Sequence, residues 1–297
     1  MNSISQFICV IALSIATIFN ANAQLLWKVS KPDVEKASYL IGTHHLAPIN
    51  ILDSIQGWND ALNNCDIVFG EVDKDSLTSP ASQQMMLSAA IAPADSSIYQ
   101  LYTPLQIDSI NTFLIDVSNG IMSVNTFANF KPAFINTQVS LLLAMKAMPQ
   151  YNPQQQLDIH IQQQAINHGK TVAAFETAKQ QIDLLFNYPI EQQAQELLST
   201  MRNEAHLVDF SKQLASAYLT QNLDSVHRLS LHPTLGTDPE SQARLIDNRN
   251  KTWVNTLLNI LPQKSVIVCV GALHLPGNNG LIKLLRNQGY IVTPITK

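Results

Sequence analysis

Short apolar runs that do not alternate with polar residues most limit how this chain can fold. The clearest are Val-Ile-Val-Cys-Val from Val266 and Ile-Val-Phe from Ile67. A strand that is apolar on both faces needs cover on both sides, which helices supply in parallel or mixed sheets. Turn residues bound six strand-like runs, which are Leu25 to Val29, Ser38 to Gly42, Asp66 to Val72, Thr171 to Phe175, Ser265 to Gly271 and Tyr290 to Pro294.

Between the strands the spacing becomes helical, as in Ile55, Trp58 and Leu62, which recur every three or four residues. Pro80 to Gly169 and Ala178 to Pro262 contain almost no strand signal. The sequence therefore predicts an α/β fold with a mixed, mainly parallel central sheet flanked by helices, and a helical insertion or lid.

The last strand-helix-strand unit is the clearest. A strand from Ser265 to Gly271 is followed by a helical pattern over Asn279 to Gln288, and Gly289 stops that helix before the final strand. Such units predict a right-handed crossover onto a parallel neighbouring strand.

The first residues have the pattern of an export signal. Ile8 to Phe19 is apolar, and Ala21-Asn22-Ala23 supplies the small residues that precede a cleavage site. The apolar stretch is shorter than the roughly 20 residues that span a bilayer, which disfavours a retained anchor. We therefore predict a signal peptide over residues 1–23, a single domain over residues 24–297, a periplasmic or secreted location, and no membrane association after cleavage.

Charge and cysteine content exclude several classes of protein. The 297 residues carry a formal net charge of −4 and have no Lys/Arg cluster, so a nucleic-acid partner is not expected. Cys65 and Cys269 each lie beside or within an apolar run, which favours buried thiols and leaves a single bridge open. Oligomeric state has no signal in the sequence.

Four predicted strands run into a His or a carboxylate at their carboxyl ends. These residues are His45 (with His44 before it), Glu71, Glu176 and His274. In open α/β sheets, ligands bind in the crevice at this edge. We therefore expect these residues, distant in sequence, to converge there.

Two of these strand ends share a Gly-x-x-His pattern, at Gly42 to His45 and at Gly271 to His274. Glycine lets the chain leave a strand sharply and approach a ligand closely. We expect each imidazole to point into the crevice.

Motifs along nearly the whole mature chain resemble the TraB/PrgY/GumN family. The resemblance rests on Leu26-Trp27-Lys28, Tyr39 to His45, Phe69 to Asp73, Leu157-Asp158, Phe175-Glu176-Thr177, Arg249-Asn250 and Gly271 to Gly277. That family is related in pattern to the Tiki metalloproteases and to the erythromycin-esterase/ChaN-like superfamily. The resemblance implies an α/β fold whose site uses both Gly-x-x-His motifs and an acidic residue. His45, Glu71 and His274 match those positions, and Glu176 and Arg249 are further matches.

Two imidazoles and one carboxylate form a minimal set for a catalytic divalent metal such as Mn, Co or Zn. We therefore predict His45, Glu71 and His274 as metal ligands, Glu176 as general base, and Arg249 as a group that steadies an oxyanion or holds a carboxylate. This set predicts a metal-dependent hydrolase, a peptidase in the first instance, with a peptide or small-molecule substrate.

Three alternatives remain open at this point. The resemblance also implies a non-catalytic haem or metal carrier, since the related ChaN-like proteins suggest ligand capture in a similar crevice and histidine is a common haem ligand. The pheromone-shutdown members of the family imply a protein-interaction factor that inhibits signalling. Each candidate residue is also compatible with a purely structural hydrogen bond at a strand end. His44 is either a spare ligand or only a neighbour.

Overall fold

A six-stranded sheet runs through the computed structural model, which describes residues 24–152 and 154–296. The predicted signal peptide over residues 1–23 lies outside the described residues. The strands are β1 (Leu26–Ser30), β2 (Ser38–Thr43), β3 (Ile67–Val72), β4 (Thr171–Glu176), β5 (Val266–Gly271) and β6 (Ile291–Pro294). All six predicted strands are confirmed, each within one residue at either end.

The sheet is mixed and mainly parallel, as the sequence predicts. Its strand order is β4-β3-β5-β2-β1-β6, in which β4, β3, β5 and β2 are parallel and β1 is antiparallel to both β2 and β6. The last strand runs parallel to β5, as predicted, but the prediction that it lies next to β5 is wrong. Both edges of β5 already pair, with β3 and β2, so β6 pairs instead with the free edge of β1.

Helices make up most of the rest of the described chain. They are α1 (Trp58–Asn64), α2 (Lys74–Thr78), α3 (Pro80–Ala90), α4 (Ile98–Leu101), α5 (Pro104–Ser118), α6 (Val124–Phe127), α7 (Pro132–Ala147), α8 (Leu157–Asn167), α9 (Ala178–Phe186), α10 (Ile190–Arg202), α11 (Glu204–Leu219), α12 (Leu223–Ser230), α13 (Pro239–Gln242), α14 (Asn248–Ile260) and α15 (Leu281–Asn287). Two 3₁₀ helices (Ile49–Ser54 and Ala272–His274) and a π-helix (Ala243–Asp247) complete the set.

Two large apolar clusters hold these elements together. The larger covers the sheet, where α8 packs against β3, β4 and β5. The second lies within the predicted helical insertion, where α7 contacts α5, α10 and α11 and buries Ile110, Leu114, Ile135 and Leu197. Cys65 and Cys269 are buried free thiols, as predicted. Within the described residues, no helix has the length and apolar character needed to span a membrane.

The parallel strands end at one edge of the sheet. Thr43 at the end of β2 pairs with Gly271 at the end of β5, and Val72 of β3 pairs with Glu176 at the end of β4. Side chains that follow these four strands are therefore presented at a common edge, as the strand directions predict.

Candidate functional site

The guanidinium of Arg249, in the first turn of α14, is the centre of the site. Its Nε and Nη2 donate to the two carboxylate oxygens of Glu176 at 2.8 and 2.9 Å, and Nη2 also donates to Glu71 Oε2 at 2.5 Å. Its Nη1 donates to the Leu245 carbonyl at 2.8 Å and lies 3.1 Å from His274 Nε2. A guanidinium has five N–H donors. These contacts engage all of them, so Arg249 is fixed in place.

Asn250, the next residue of α14, sets the tautomer of His274. Its amide nitrogen donates to the carbonyls of His274 and Asn279 at 3.1 and 2.8 Å, which leaves Asn250 Oδ1 as an acceptor 2.7 Å from His274 Nδ1. His274 Nδ1 must therefore carry the proton, and Nε2 presents a lone pair to Arg249. Burial lowers the pKa of His274 to about 4, so the ring is neutral at pH 7.

Glu71, on β3, is held as a carboxylate. Its Oε1 accepts from the Gly271 backbone N–H at 2.8 Å, and its Oε2 accepts from Gln181 at 3.1 Å as well as from Arg249. Burial would raise the pKa of Glu71. The charge of His274, which is protonated at the low pH where Glu71 titrates, the charges of Arg249 and His45, and the Gly271 N–H outweigh burial and lower the pKa of Glu71 to about 2.

His45 and Asp158 form a second unit at the same edge. His45 Nδ1 lies 2.7 Å from Asp158 Oδ2, and Thr43 Oγ1 donates to Asp158 Oδ1 at 2.5 Å. Because Asp158 holds Nδ1, the His45 ring presents Nε2 outward, and its side chain is 69% exposed. The charge of Asp158 raises the pKa of His45 to about 9.

His44 contacts other groups. Its Nδ1 accepts from the Leu46 N–H at 3.2 Å, and its ring lies 5.4 Å from that of Tyr218. Burial lowers the pKa of His44 to about 4. Of the two roles left open by the sequence, this packing favours that of a neighbour.

The glycines of the two motifs serve close packing more than a turn. A Cβ on Gly42 would lie 3.0 Å from Ala272 Cα, so the first motif packs directly against the second. The backbone of Gly271 has φ −50° and ψ 137°, which any residue adopts, so its glycine does not serve a left-handed turn. Its N–H instead binds Glu71.

The structure therefore brings Glu71, Glu176, Arg249 and His274 into one hydrogen-bonded network and places His45 in the adjacent unit with Asp158. A metal ion fits this arrangement poorly. Glu71 Oε1 and His274 Nε2 are 3.7 Å apart, but the Arg249 guanidinium already contacts both residues. Within residues 24–152 and 154–296, no three His, Cys, Asp or Glu side chains are arranged to hold a metal ion. As placed, these residues hold an arginine where the sequence predicts a metal.

Sequence reasoning missed several members of the site. Asp158, Asn250 and Thr43 lie inside the motifs quoted above, but their partners are 24 to 115 positions away, so their roles depend on the tertiary fold. Trp253 donates from Nε1 to Glu176 Oε1 at 3.1 Å, and its ring packs at a tilt against that of His274 with 4.5 Å between ring centroids. Trp253 lies four residues after Arg249 and so on the same face of the helix. That spacing is the sequence feature that could have placed Trp253 in the site.

The model of the TraB/PrgY/gumN family matches residues 25–294, nearly the whole described chain. No curated protein and no solved structure matches.

Proposed function

The chain belongs to the TraB/PrgY/gumN family, and from that premise and the geometry above we propose that it is a hydrolase that directs water onto a carbonyl carbon. The observation that carries this proposal is the His45–Asp158 pair. A carboxylate that holds Nδ1 of a histidine leaves Nε2 free to take a proton, which is how histidine serves as a general base.

In the proposed reaction, neutral His45 takes a proton from water at Nε2 while the water oxygen bonds to the carbonyl carbon. The bond to the leaving group then breaks, and the His45 imidazolium returns the proton to that group. Asp158 orients the ring and stabilises the imidazolium. Thr43 donates to the other carboxylate oxygen of Asp158 and so holds that side chain in place.

The buried network beside His45 positions the site. Arg249 donates to both carboxylate oxygens of Glu176. In this arrangement Glu176 is not available as the predicted general base, and Arg249 is not available to steady an oxyanion. Those two roles stay predictions. In the proposed reaction, Arg249 orders Glu71, Glu176 and His274 and fixes the edge from which His45 projects.

The predicted Mn, Co or Zn cofactor also stays a prediction. One feature supports it, since both histidines have Nδ1 hydrogen-bonded to a side-chain oxygen and leave Nε2 as the ligating nitrogen, as metal-bound imidazoles usually do. Arg249 opposes it, because a cation at Glu71 and His274 would have to displace the guanidinium. The proposed reaction therefore contains no metal-dependent step.

The haem alternative has weaker support, because His274 is 2% exposed and leaves a haem iron no approach to its Nε2, so that only the exposed His45 is accessible to haem. No contact within the described residues singles out a signalling partner. The periplasmic or secreted location depends on residues 1–23 and stays a prediction.

The proposal is tested with purified protein and a panel of chromogenic esters and fluorogenic peptides. We expect turnover that falls by about 100-fold or more in His45→Ala, a typical loss for a general base, with a smaller fall in Asp158→Asn. His206→Ala, an exposed histidine of α11, is the matched control and should keep full activity. A panel on which the native protein is no faster than His45→Ala would rule the proposal out.

A further inference from the structure

Two consecutive histidines follow β2 within one tight turn. The carbonyl of His44 accepts from the Ala47 N–H at 2.9 Å, which closes a four-residue turn with His45 at its second position. Within the same turn, His44 Nδ1 accepts from the Leu46 N–H at 3.2 Å. Both rings are therefore carried by one short, hydrogen-bonded segment at the carboxyl edge of the sheet.

The partners at Nδ1 give the two rings opposite tautomers. A backbone N–H only donates, so His44 Nδ1 is unprotonated and the ring proton lies on Nε2. The Asp158 carboxylate accepts, so in the neutral His45 ring the proton lies on Nδ1 and Nε2 keeps its lone pair. At Nε2, His45 thus offers a base and His44 offers an N–H donor.

The His44 ring is also held from α11. The ring of Tyr218 packs against it at a tilt of 50°, with 5.4 Å between ring centroids. Tyr218 is itself fixed, since it is 1% exposed and its hydroxyl donates to the Gly42 carbonyl at 3.1 Å. Two independent contacts therefore fix the direction of the His44 Nε2–H. Donors fixed in this way need no reorganisation during a reaction.

The Nε2–H of His44 is accessible and unpaired. Within residues 24–152 and 154–296, the buried side-chain nitrogens and oxygens that lack a partner are Asn136 Oδ1 and Arg244 Nε. His44 Nε2 makes no hydrogen bond to that part of the chain and is not one of these buried atoms, so it reaches the surface. A bound molecule can therefore accept a hydrogen bond from it.

This donor lies beside the proposed base. The Cα atoms of His44 and His45 are consecutive and so about 3.8 Å apart. Burial is the main cause that lowers the pKa of His44, and the charges of His45 and Asp158 also act on that pKa. A carbonyl group that approaches His45 Nε2 therefore enters the neighbourhood of His44 as well.

The proposed reaction needs a donor at this place. When the water oxygen bonds to the carbonyl carbon, an electron pair moves onto the carbonyl oxygen, which becomes negative. The donors of Arg249 are engaged by Glu71, Glu176 and the Leu245 carbonyl. Histidine side chains, including neutral ones, stabilise such oxyanions in enzymes.

We propose that His44 is a second catalytic residue of this reaction, whose Nε2–H donates to the substrate carbonyl oxygen as that oxygen becomes negative. The inference rests on the proposed function. His44 keeps its proton throughout. The water proton passes to His45 and then to the leaving group, and the electron pair on the oxyanion re-forms the carbonyl as the bond to the leaving group breaks.

Asparagine and glutamine separate the two ring nitrogens of His44. In His44→Asn the side-chain oxygen takes the place of Nδ1 and accepts from Leu46, but no donor reaches the place of Nε2. In His44→Gln the amide nitrogen reaches the place of Nε2, but the contact with Leu46 is lost. We expect kcat to fall by about 100- to 1000-fold in His44→Asn with KM nearly unchanged, and His44→Gln to be at least about tenfold faster than His44→Asn.

A purely structural role of His44 predicts the opposite order, since His44→Asn preserves the turn. Equal activities of the two variants, or a faster His44→Asn, would therefore overturn the proposal. His168→Gln, at an exposed histidine that follows α8, is the control and should keep full activity. Thermal melting confirms that each variant folds.

A phosphonate analogue of the best substrate adds a binding measurement. Its tetrahedral, negatively charged centre resembles the transition state, so its inhibition constant should rise in His44→Asn by about the factor by which kcat/KM falls. An inhibition constant that stays at the native value would contradict the role of His44.

NMR of the native protein tests the tautomer without turnover. We expect ¹⁵N spectra to show a proton on Nε2 of His44 and none on Nδ1, and a proton on Nδ1 would overturn the proposal. The two proposals fail separately. Turnover that His44→Asn retains in full would remove His44 from the reaction and leave His45 as the base, whereas a panel without any turnover would remove the hydrolase and this role together.

Discussion

Arg249 donates from Nη2 to Oε2 of Glu71 at 2.5 Å across 178 positions of sequence. The same guanidinium holds both oxygens of Glu176. All three side chains are nearly buried, with 11–12% exposure. One positive charge thus bridges two carboxylates from neighbouring strands, and the three side chains together keep a net charge of −1.

Replacing Arg249 by methionine should therefore destabilise the protein strongly. Removal of one partner from a buried ion pair costs about 3–5 kcal/mol because the other charge stays buried and unpaired. We expect a loss of that size in the free energy of unfolding, measured by urea denaturation. Arg228→Met, at an exposed position of α12, should change it by less than about 0.5 kcal/mol. Similar stability of the two variants would show that Arg249 is not the centre of the network.

Asn250→Asp should raise the pKa of His274. The new carboxylate would face the protonated Nδ1 of the ring and favour the imidazolium. ¹⁵N NMR of the ring nitrogens measures both the tautomer and the pKa of His274. In the native protein we expect a proton on Nδ1 and a pKa near 4. Asn255→Asp, on the exposed face of the same helix, should leave His274 unchanged. A native ring protonated on Nε2 would contradict the tautomer derived from Asn250.

The strands and the common edge follow from the sequence because they depend on local composition. Runs such as Val266 to Val270 must be buried on both faces, and parallel strands must present their carboxyl ends together. The placement of β6 does not follow, because it depends on which strand edges remain free after β5 has paired on both sides.

The site can be predicted from the sequence only in part, because it also depends on which elements meet in the folded chain. His45, Glu71 and His274 are visible as strand-end residues. Their partners are not, since Asp158 and Asn250 lie on helices whose position against the sheet is fixed by apolar packing elsewhere. A sequence pattern also carries no sign that Arg249 would take the place predicted for a metal.

Gly42→Ala should destabilise the protein by about 1–3 kcal/mol, the usual effect of overpacking. The added Cβ would meet Ala272 Cα at 3.0 Å and Leu275 Cδ1 at 3.1 Å, so the backbone that leads to His274 must shift. Gly271→Ala is the matched comparison, because its Cβ would meet Glu71 Oε1 at 3.4 Å and His274 at 3.7 Å. Urea denaturation should rank Gly42→Ala as the more harmful change, and the opposite order would contradict the close approach of the two motifs.

Arg249→Gln should bind more Mn²⁺ or Zn²⁺ than the native protein. The change removes a fixed cation from Glu71 and His274, which leaves a carboxylate and an imidazole lone pair for a metal. Elemental analysis after dialysis against each ion measures the uptake, and circular dichroism confirms the fold. Adding Glu71→Gln in the same chain should remove the gain. Equal metal content in the native and Arg249→Gln proteins would show that the guanidinium does not compete with a cation.

The pairing of His45 with Asp158 predicts a distinctive pH dependence. The pKa of His45 is raised from 6.5 to about 9 in the folded chain, so the stabilisation from this pair is full below pH 6.5 and is lost as pH rises through 9. The fraction of His45 that is neutral, and so able to act as base, increases over the same interval. The rate of hydrolysis should therefore rise between pH 7 and about 9. Asp158→Asn should return the pKa toward its ordinary value and move the rate plateau to lower pH, at a reduced maximum rate. NMR titration of His45 and rate–pH profiles of both proteins measure these shifts, and a native profile already flat at pH 7 would exclude His45 as the base in the state described.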